Sequence, residues 1–192
     1  MIGLIYFSTQ PRKAGFPSRK TLFTLLGLFI IFVVDGINSA LQFFPGFSGL
    51  YPSQNWLRLL TGSGMGIVIA VMLASVINMS VWKDSLDERI MNKWRQLLPI
   101  FTGVVFLDLL VLTQQSFFLF PLAILSTLTV VAILTLVYTV MLILIWKRDN
   151  SFSCLRQLLP WLFGGLACAF FQILLMDALR LAVTGTWTGF TL

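Results

Sequence analysis

Histidine is absent from this chain of 192 residues, and cysteine occurs only twice. Without histidine, the Ser–His and Cys–His nucleophilic sites of many hydrolases are excluded. Cys154 falls in a loop and Cys168 in a long apolar run, so we expect no disulfide between them. A zinc, haem or iron–sulfur centre needs more ligands than these two cysteines offer. We therefore expect no metal site, and no cofactor is evident.

Charge is also scarce, since only 10% of the residues are charged and 58% are hydrophobic. Water-soluble domains carry about 25% charged residues. The apolar residues form five unbroken runs, each long enough for the roughly 20-residue helix that crosses a bilayer, whereas barrel strands would alternate. The sequence thus predicts an all-α polytopic membrane protein with one transmembrane helical domain over residues 1–192. The predicted spans are residues 21–44, 59–82, 97–116, 121–146 and 158–181.

A short polar break separates the third span from the fourth. A single helix over residues 97–146 would be about 75 Å long at 1.5 Å per residue, far more than one bilayer. The break at Gln114, Gln115, Ser116 and Pro121 therefore predicts a tight turn between two spans.

Lysine and arginine alternate between the two sides of the predicted spans. They concentrate before the first span and in the second and fourth loops, whereas the first loop holds only Arg58 and the third holds none. Because these residues collect on the cytoplasmic side, the pattern predicts a multi-pass cell-membrane protein with its N-terminus inside and its C-terminus outside. The net charge of +6 is then a topology signal, so the expected partner is the lipid bilayer and not nucleic acid.

Two segments outside the spans carry a helical pattern. Residues 85–95 combine the capping-box spacing of Ser85 and Glu88 with apolar residues on one side, which predicts a short amphipathic surface helix. The alternative is an ordinary charged connector. The apolar segment Met1–Ser8 is interpreted either as the end of a helix or as an interfacial segment.

Ionisable side chains inside the apolar runs are the strongest candidates for function, because a charge at the bilayer centre costs about 2.5–3.5 kcal/mol. By depth, we expect Asp35 to pair with Arg58 and Asp177 with Arg180, which leaves Asp108 as a candidate for proton handling. Two interpretations stay open: an outward-facing pocket for an ion, a proton or a small polar ligand, and buried ion pairs that fix the register of the helices. The polar residues concerned are Asp35, Asn38, Gln42, Arg58, Asp108, Gln172, Asp177 and Arg180.

Small residues at helical spacing predict close helix packing in two spans. The second span carries a ridge spaced by four, and the fifth carries a shorter version. Such ridges let a neighbouring helix approach closely, and that neighbour is a helix of this chain or of another subunit. The residues are Gly62, Gly66, Ala70 and Ala74 in the second span and Gly165 and Ala169 in the fifth.

The first loop and its flanks carry a specific motif. An Asp-Gly step at Asp35 is followed by amides at Asn38 and Gln42, and then by Ser53-Gln-Asn55-Trp-Leu57-Arg58-Leu-Leu-Thr61-Gly62-Ser-Gly-Met-Gly66. Over about residues 21–76, this pattern resembles the second half of the prokaryotic membrane-protein family known as domain of unknown function 2085.

The resemblance implies a central polar cluster but no activity. Its members would be Asp35, Asn55, Arg58, Thr61 and Gly62. The Cys and His signatures of the family's N-terminal half are absent, so the start is truncated or the chain is a divergent member.

Three functions follow, in order of preference. The first is a small non-catalytic membrane protein that serves as a subunit or assembly partner of a larger complex, or forms a homo-oligomer. The second is a small-solute or proton-coupled ion transporter built on the outer polar residues. The third, an intramembrane lipid-modifying enzyme, is disfavoured because the spans offer only aspartates as acid or base.

Overall fold

The computed structural model describes residues 1–42 and 49–185 and has the predicted all-α membrane architecture. Five of its helical segments are long and apolar enough to cross a membrane: Arg19–Leu41, Asn55–Ser80, Trp94–Leu112, Ser116–Ile145 and Leu155–Thr184. The elements in chain order are α1 (Ile2–Ser8), β1 (Lys13–Gly15), α2 (Arg19–Leu41), α3 (Asn55–Ser80), β2 (Leu86–Arg89), a 3-10 helix (Trp94–Leu97), α4 (Leu98–Leu112), α5 (Ser116–Ile145) and α6 (Leu155–Thr184).

The chain forms two compact units. The first comprises Met1–Met79 and Asp84–Ile124, and the second comprises Ser80–Lys83 and Leu125–Leu192. The division falls within α5, so this helix contributes to both units.

The first unit is built around α3. The short helix α1 lies against α3 and α4, since a Cβ added at Gly3 would lie 2.5 Å from the Cβ of Ala70, and one added at Gly103 would lie 3.1 Å from Ile2. The segment Met1–Ser8 is thus a packed helix of this unit. Its apolar core consists of Leu25, Ile67, Val71, Met91, Leu97 and Ile100.

The predicted surface helix over residues 85–95 is wrong, because residues Leu86–Arg89 form strand β2 in parallel with β1. The amide of Leu86 donates to the Arg12 carbonyl at 2.8 Å, and that of Ile90 donates to the Gly15 carbonyl at 2.9 Å. A Cβ at Gly15 would lie 2.8 Å from the Glu88 carbonyl oxygen, so glycine is what permits this approach. The carbonyl groups of the extended chain before α2 need hydrogen-bond donors, and residues 86–90 supply them. These backbone bonds outweigh the local helical pattern.

The predicted break between the third and fourth spans is confirmed at Gln114 and Gln115, whereas Pro121 lies inside the next helix. The turn lies at Thr113–Gln115, where Gln114 takes a positive φ of 54°, and α5 begins at Ser116 with Pro121 inside it. In the second turn of α5, this proline removes one backbone hydrogen bond of the helix without ending it.

In the second unit, α6 packs against α5. Gly165 is buried, and a Cβ added there would lie 2.5 Å from the carbonyl oxygen of Thr135. The helix runs three residues past its predicted end to Thr184 and stops at Gly185, whose φ of 67° is left-handed and whose amide donates to the Leu181 carbonyl at 2.8 Å.

Candidate polar site of the first unit

Asp35 is the centre of the polar site. It lies on α2 and is only 5% exposed. The Tyr51 hydroxyl donates to its Oδ1 at 2.7 Å, and the Thr61 hydroxyl of α3 donates to its Oδ2 at 3.0 Å. Both carboxylate oxygens are therefore occupied by hydroxyl groups of the same chain.

The hydrogen bond to Asp35 also acts on Tyr51, which lies outside the candidate spans. By stabilising the protonated phenol, this bond raises the pKa of Tyr51 above its usual value. Burial and the negative charge of Asp35 act in the same direction. The tyrosine therefore stays a hydrogen-bond donor at neutral pH.

Asn38 and Gln42 share the helix face of Asp35 and hold the backbone of the returning loop. The side chain of Asn38 donates to the Tyr51 carbonyl at 3.0 Å and accepts from the Leu50 amide at 2.6 Å. Gln42 donates to the same Tyr51 carbonyl at 2.6 Å. We call Asp35, Asn38, Gln42, Tyr51 and Thr61 the Asp35 cluster. Its members anchor the loop to the end of α2.

The predicted ion pair between Asp35 and Arg58 is wrong. Arg58 is exposed in the first turn of α3, where its Nε donates to the Ser39 hydroxyl at 3.2 Å. Thr61 lies one turn deeper along α3 and is the residue that meets Asp35. A guanidinium that reaches water keeps its hydration, which a buried pair would remove. Asn55, the first residue of α3, is exposed, and no hydrogen bond joins its side chain to the Asp35 cluster within the described residues.

Asp108 has a separate partner. It is half-buried on α4, and the Ser63 hydroxyl of α3 donates to its Oδ2 at 2.8 Å. Within residues 1–42 and 49–185, this is its one hydrogen bond.

The remaining predicted polar residues belong to the second unit. Gln172 on α6 accepts from the Tyr138 hydroxyl of α5 at 2.7 Å. Asp177 and Arg180 are both exposed and form no ion pair with each other, so that prediction is wrong. On a helix, residues three apart are neighbours, yet a pair between exposed side chains gains little and is easily given up.

The two halves of the second-span ridge differ. Ala70 and Ala74 are buried, and Ala70 contacts α1. In contrast, a Cβ added at Gly62 or at Gly66 would meet no described atom within 4 Å. Only the later half of this ridge is therefore used for packing among the described residues. In the fifth span, Gly165 and Ala169 are both buried.

Sequence reasoning missed Tyr51 and Ser63. Tyr51 carries no intramembrane charge, but it stands among turn formers two residues after Gly49, whose φ is 68°. Ser63 falls inside the Thr-Gly-Ser-Gly stretch of the motif, where its hydroxyl is the polar group nearest in sequence to Thr61. The motif around Thr61 offered a signal for Ser63, whereas the sequence offered none for Tyr51.

The comparisons with known proteins give one match. Residues 1–72 match the model of a family described as predicted membrane protein (DUF2085), and this confirms the resemblance that the motif predicted. The match includes Asp35 and Thr61 and extends to Met1, beyond the expected limit near residue 21. The assignment to the family's second half stays a prediction. No curated protein and no solved structure matches the chain.

Proposed function

We propose that this integral membrane protein, which is similar to that family over residues 1–72, is a non-catalytic subunit or assembly partner of a larger membrane complex. We place it in the cell membrane with its N-terminus in the cytoplasm, on the distribution of Lys and Arg.

The polar groups within the spans support a non-catalytic role. Asp35 is enclosed by Tyr51 and Thr61, and Gln172 is bonded to Tyr138. Among the described residues, no buried side-chain nitrogen or oxygen lacks a hydrogen-bond partner. Groups satisfied in this way fix the positions of helices and of a loop.

The proposal rests on two exposed charged residues near the end of α6. Asp177 and Arg180 are exposed and form no ion pair within the described residues. Asp177 lies about 10 Å from the end of the helix at 1.5 Å per residue. The surrounding Met176 and Leu179 are 61% and 53% exposed, so the charges interrupt an apolar surface. A neighbouring protein with polar groups would remove the cost of holding these charges against lipid.

The test is the mass of the particle purified in mild detergent from the native membrane, measured by light scattering and native mass spectrometry. We expect a complex of fixed stoichiometry that contains other subunits. The double variant Asp177→Asn/Arg180→Gln should release the chain from it. The matched control is Arg148→Gln/Asp149→Asn in the exposed turn after α5, which removes the same two charges and should leave the complex intact.

Two results would contradict the proposal. One is a wild-type chain that runs as a monomer both in detergent and after cross-linking in the native membrane. The other is a complex that both double variants retain equally, because α6 would then contribute nothing to its assembly.

The proposed orientation has its own test, because Cys154 is exposed in the loop before α6 and Cys168 lies within α6. A membrane-impermeant maleimide should label Cys154 in inverted vesicles and not in right-side-out vesicles. Cys154→Ser should abolish the signal. Labelling only in right-side-out vesicles would reverse the topology.

One observation favours a second function, proton-coupled transport. Asp108 is half-buried in a candidate span with one hydroxyl partner, which leaves a carboxyl oxygen able to exchange a proton. In proteoliposomes under an imposed membrane potential, a transporter would give a proton flux that Asp108→Asn abolishes and Lys83→Gln preserves. A wild-type protein without flux would exclude this function.

A further inference from the structure

A basic cavity lies in the first unit, where α2 and the third candidate span begin. Its volume is about 580 Å³. Five of its eight lining residues are cationic and none is acidic. The lining residues are Ser18, Arg19, Lys20, Arg89, Asn92, Lys93, Trp94 and Arg95.

Backbone hydrogen bonds hold the walls of this cavity in place. The Ser18 amide donates to the Met91 carbonyl at 2.9 Å, which fixes the start of α2 beside the segment that follows β2. The Gln96 side chain accepts from the amide of Asn92 at 2.9 Å and from that of Lys93 at 3.3 Å. Met91 is 1% exposed and anchors this segment in the core. The fold therefore brings these cations together from two stretches that lie far apart in the sequence, residues 19–20 and residues 89–95.

No carboxylate lies in the lining beside these cations. The carboxylate nearest in sequence to Arg89 is that of Glu88, and its Oε2 lies 2.8 Å from Lys13 Nζ in an ion pair outside the lining. Ser18 caps α2 by accepting from the Thr21 amide, so the amides of Arg19 and Lys20 have no carbonyl partner inside the helix. The partial positive charge of a helix start adds to the five cations. An anion in the cavity would relieve their mutual repulsion.

The position of the cavity indicates which anion. Two candidate spans, Arg19–Leu41 and Trp94–Leu112, begin at its walls, so it opens where the chain enters the membrane. Trp94 is 51% exposed at this rim, as expected for a ring at headgroup level. The general preference of basic residues for the cytoplasmic side explains why these five cations lie on one side of the membrane. It does not explain their convergence on one cavity from α2, β2 and the segment after it.

We propose that the basic cavity binds the phosphate of an anionic phospholipid headgroup. Arginine and lysine supply charge-assisted hydrogen bonds to phosphate oxygens, and basic pockets between membrane helices are suited to such headgroups. Asn92 lies in the same lining and can bond to the glycerol part of the headgroup. This site is separate from the Asp35 cluster, and it does not depend on the proposed role in a complex.

The test measures lipid selectivity in the full chain. Purified protein is reconstituted with spin-labelled phosphatidylglycerol or spin-labelled phosphatidylcholine, and the motionally restricted fraction gives relative affinities. The variant Arg89→Gln/Lys93→Gln/Arg95→Gln should lower the preference for phosphatidylglycerol by at least about tenfold, given the contribution of each cation near a membrane surface. The matched control, Lys83→Gln/Lys147→Gln/Arg148→Gln, removes the same charge outside the lining and should change it less than about twofold.

Competition with inorganic phosphate and with glycerol phosphate identifies the source of the anion. Weak competition by both supports a lipid headgroup. Saturable binding of inorganic phosphate without any preference for phosphatidylglycerol overturns the lipid and leaves a soluble phosphate ligand. Equal selectivity of the two triple variants, when both are helical by circular dichroism and monodisperse, overturns the site itself.

Discussion

Thr61 and Ser63 point to opposite sides of α3, and each donates its hydroxyl to a carboxylate of a different neighbouring helix. Thr61 donates to Asp35 on α2 at 3.0 Å, and Ser63 donates to Asp108 on α4 at 2.8 Å. Two residues along an α-helix are separated by about 200° of rotation. The pair of bonds therefore fixes the rotation of α3 about its own axis between α2 and α4.

Double-mutant cycles should resolve the two bonds as independent. We expect a coupling of about 0.6 kcal/mol, and no more than about 1.7 kcal/mol, between Thr61→Ala and Asp35→Asn, since these are the average and the maximum for hydrogen bonds between membrane helices. A similar value is expected between Ser63→Ala and Asp108→Asn. The crossed cycles, Thr61 with Asp108 and Ser63 with Asp35, should give values near zero. Unfolding in mixed detergent micelles provides the free energies. Crossed couplings as large as the direct ones would show that α3 does not hold the two carboxylates separately.

Two glycines with left-handed backbones should respond differently to alanine. Gly49 and Gly185 have φ values of 68° and 67°, so alanine costs roughly 1–2 kcal/mol of strain at each. A Cβ at Gly49 would also lie 2.8 Å from Asn38 Oδ1 and 2.9 Å from Gln42 Nε2, whereas one at Gly185 meets no described atom within 4 Å. Gly49→Ala should therefore be the more destabilising and should speed hydrogen exchange at the Leu50 and Tyr51 amides. Equal effects would argue against the clamp formed by Asn38 and Gln42.

Stability should fall at alkaline pH through Tyr51. In the folded protein, the bond to Asp35 raises the pKa of Tyr51 above its unfolded value of about 10. The bond stabilises the fold at all pH values below 10, and this contribution is lost as the pH rises through the folded pKa. The ultraviolet titration of tyrosinate, taken as the difference between wild type and Tyr51→Phe, should show late ionisation. Asp35→Asn should shift that titration to lower pH, and an unchanged curve would contradict the assignment.

The contact between α5 and α6 should depend on Gly165 and much less on its neighbour. Gly165→Ala places a Cβ against the Thr139 side chain and the Thr135 carbonyl, and we expect a loss of about 1–3 kcal/mol from overpacking. A Cβ at Gly164 would meet only the side-chain Cδ1 of Leu142, at 3.2 Å, and one at Gly62 would meet no described atom within 4 Å. Both controls should stay within about 1 kcal/mol of wild type, because alanine favours a helix over glycine. Thermal unfolding in detergent ranks the three variants.

The five helices were predictable because hydrophobicity is a local property of the sequence, and each apolar run is long enough to span a bilayer as a helix. Asp35 and Thr61 were indicated by the motif, and their bond confirms the proximity it implied. Strand β2 was not predictable, because its stabilisation comes from backbone pairing with residues about 70 positions earlier.

Charge alone misled the choice of partners. Arg58 lies within about one helical turn of the depth of Asp35. Its guanidinium nevertheless stays hydrated at the exposed start of α3, and the buried carboxylate accepts from the Thr61 hydroxyl instead. Tyr51 could not be assigned from spacing, because its position depends on how Asn38 and Gln42 hold the loop backbone.

Strand β1 precedes α2 and strand β2 follows α3, so the pairing of the two strands joins the start of α2 to the end of α3. The Asp35 cluster joins the same two helices near their other ends. A cleaved backbone between Gln42 and Gly49 would therefore leave two complementary fragments held by both connections. Co-expressed as separate polypeptides, these fragments should reassemble into a split form of the protein.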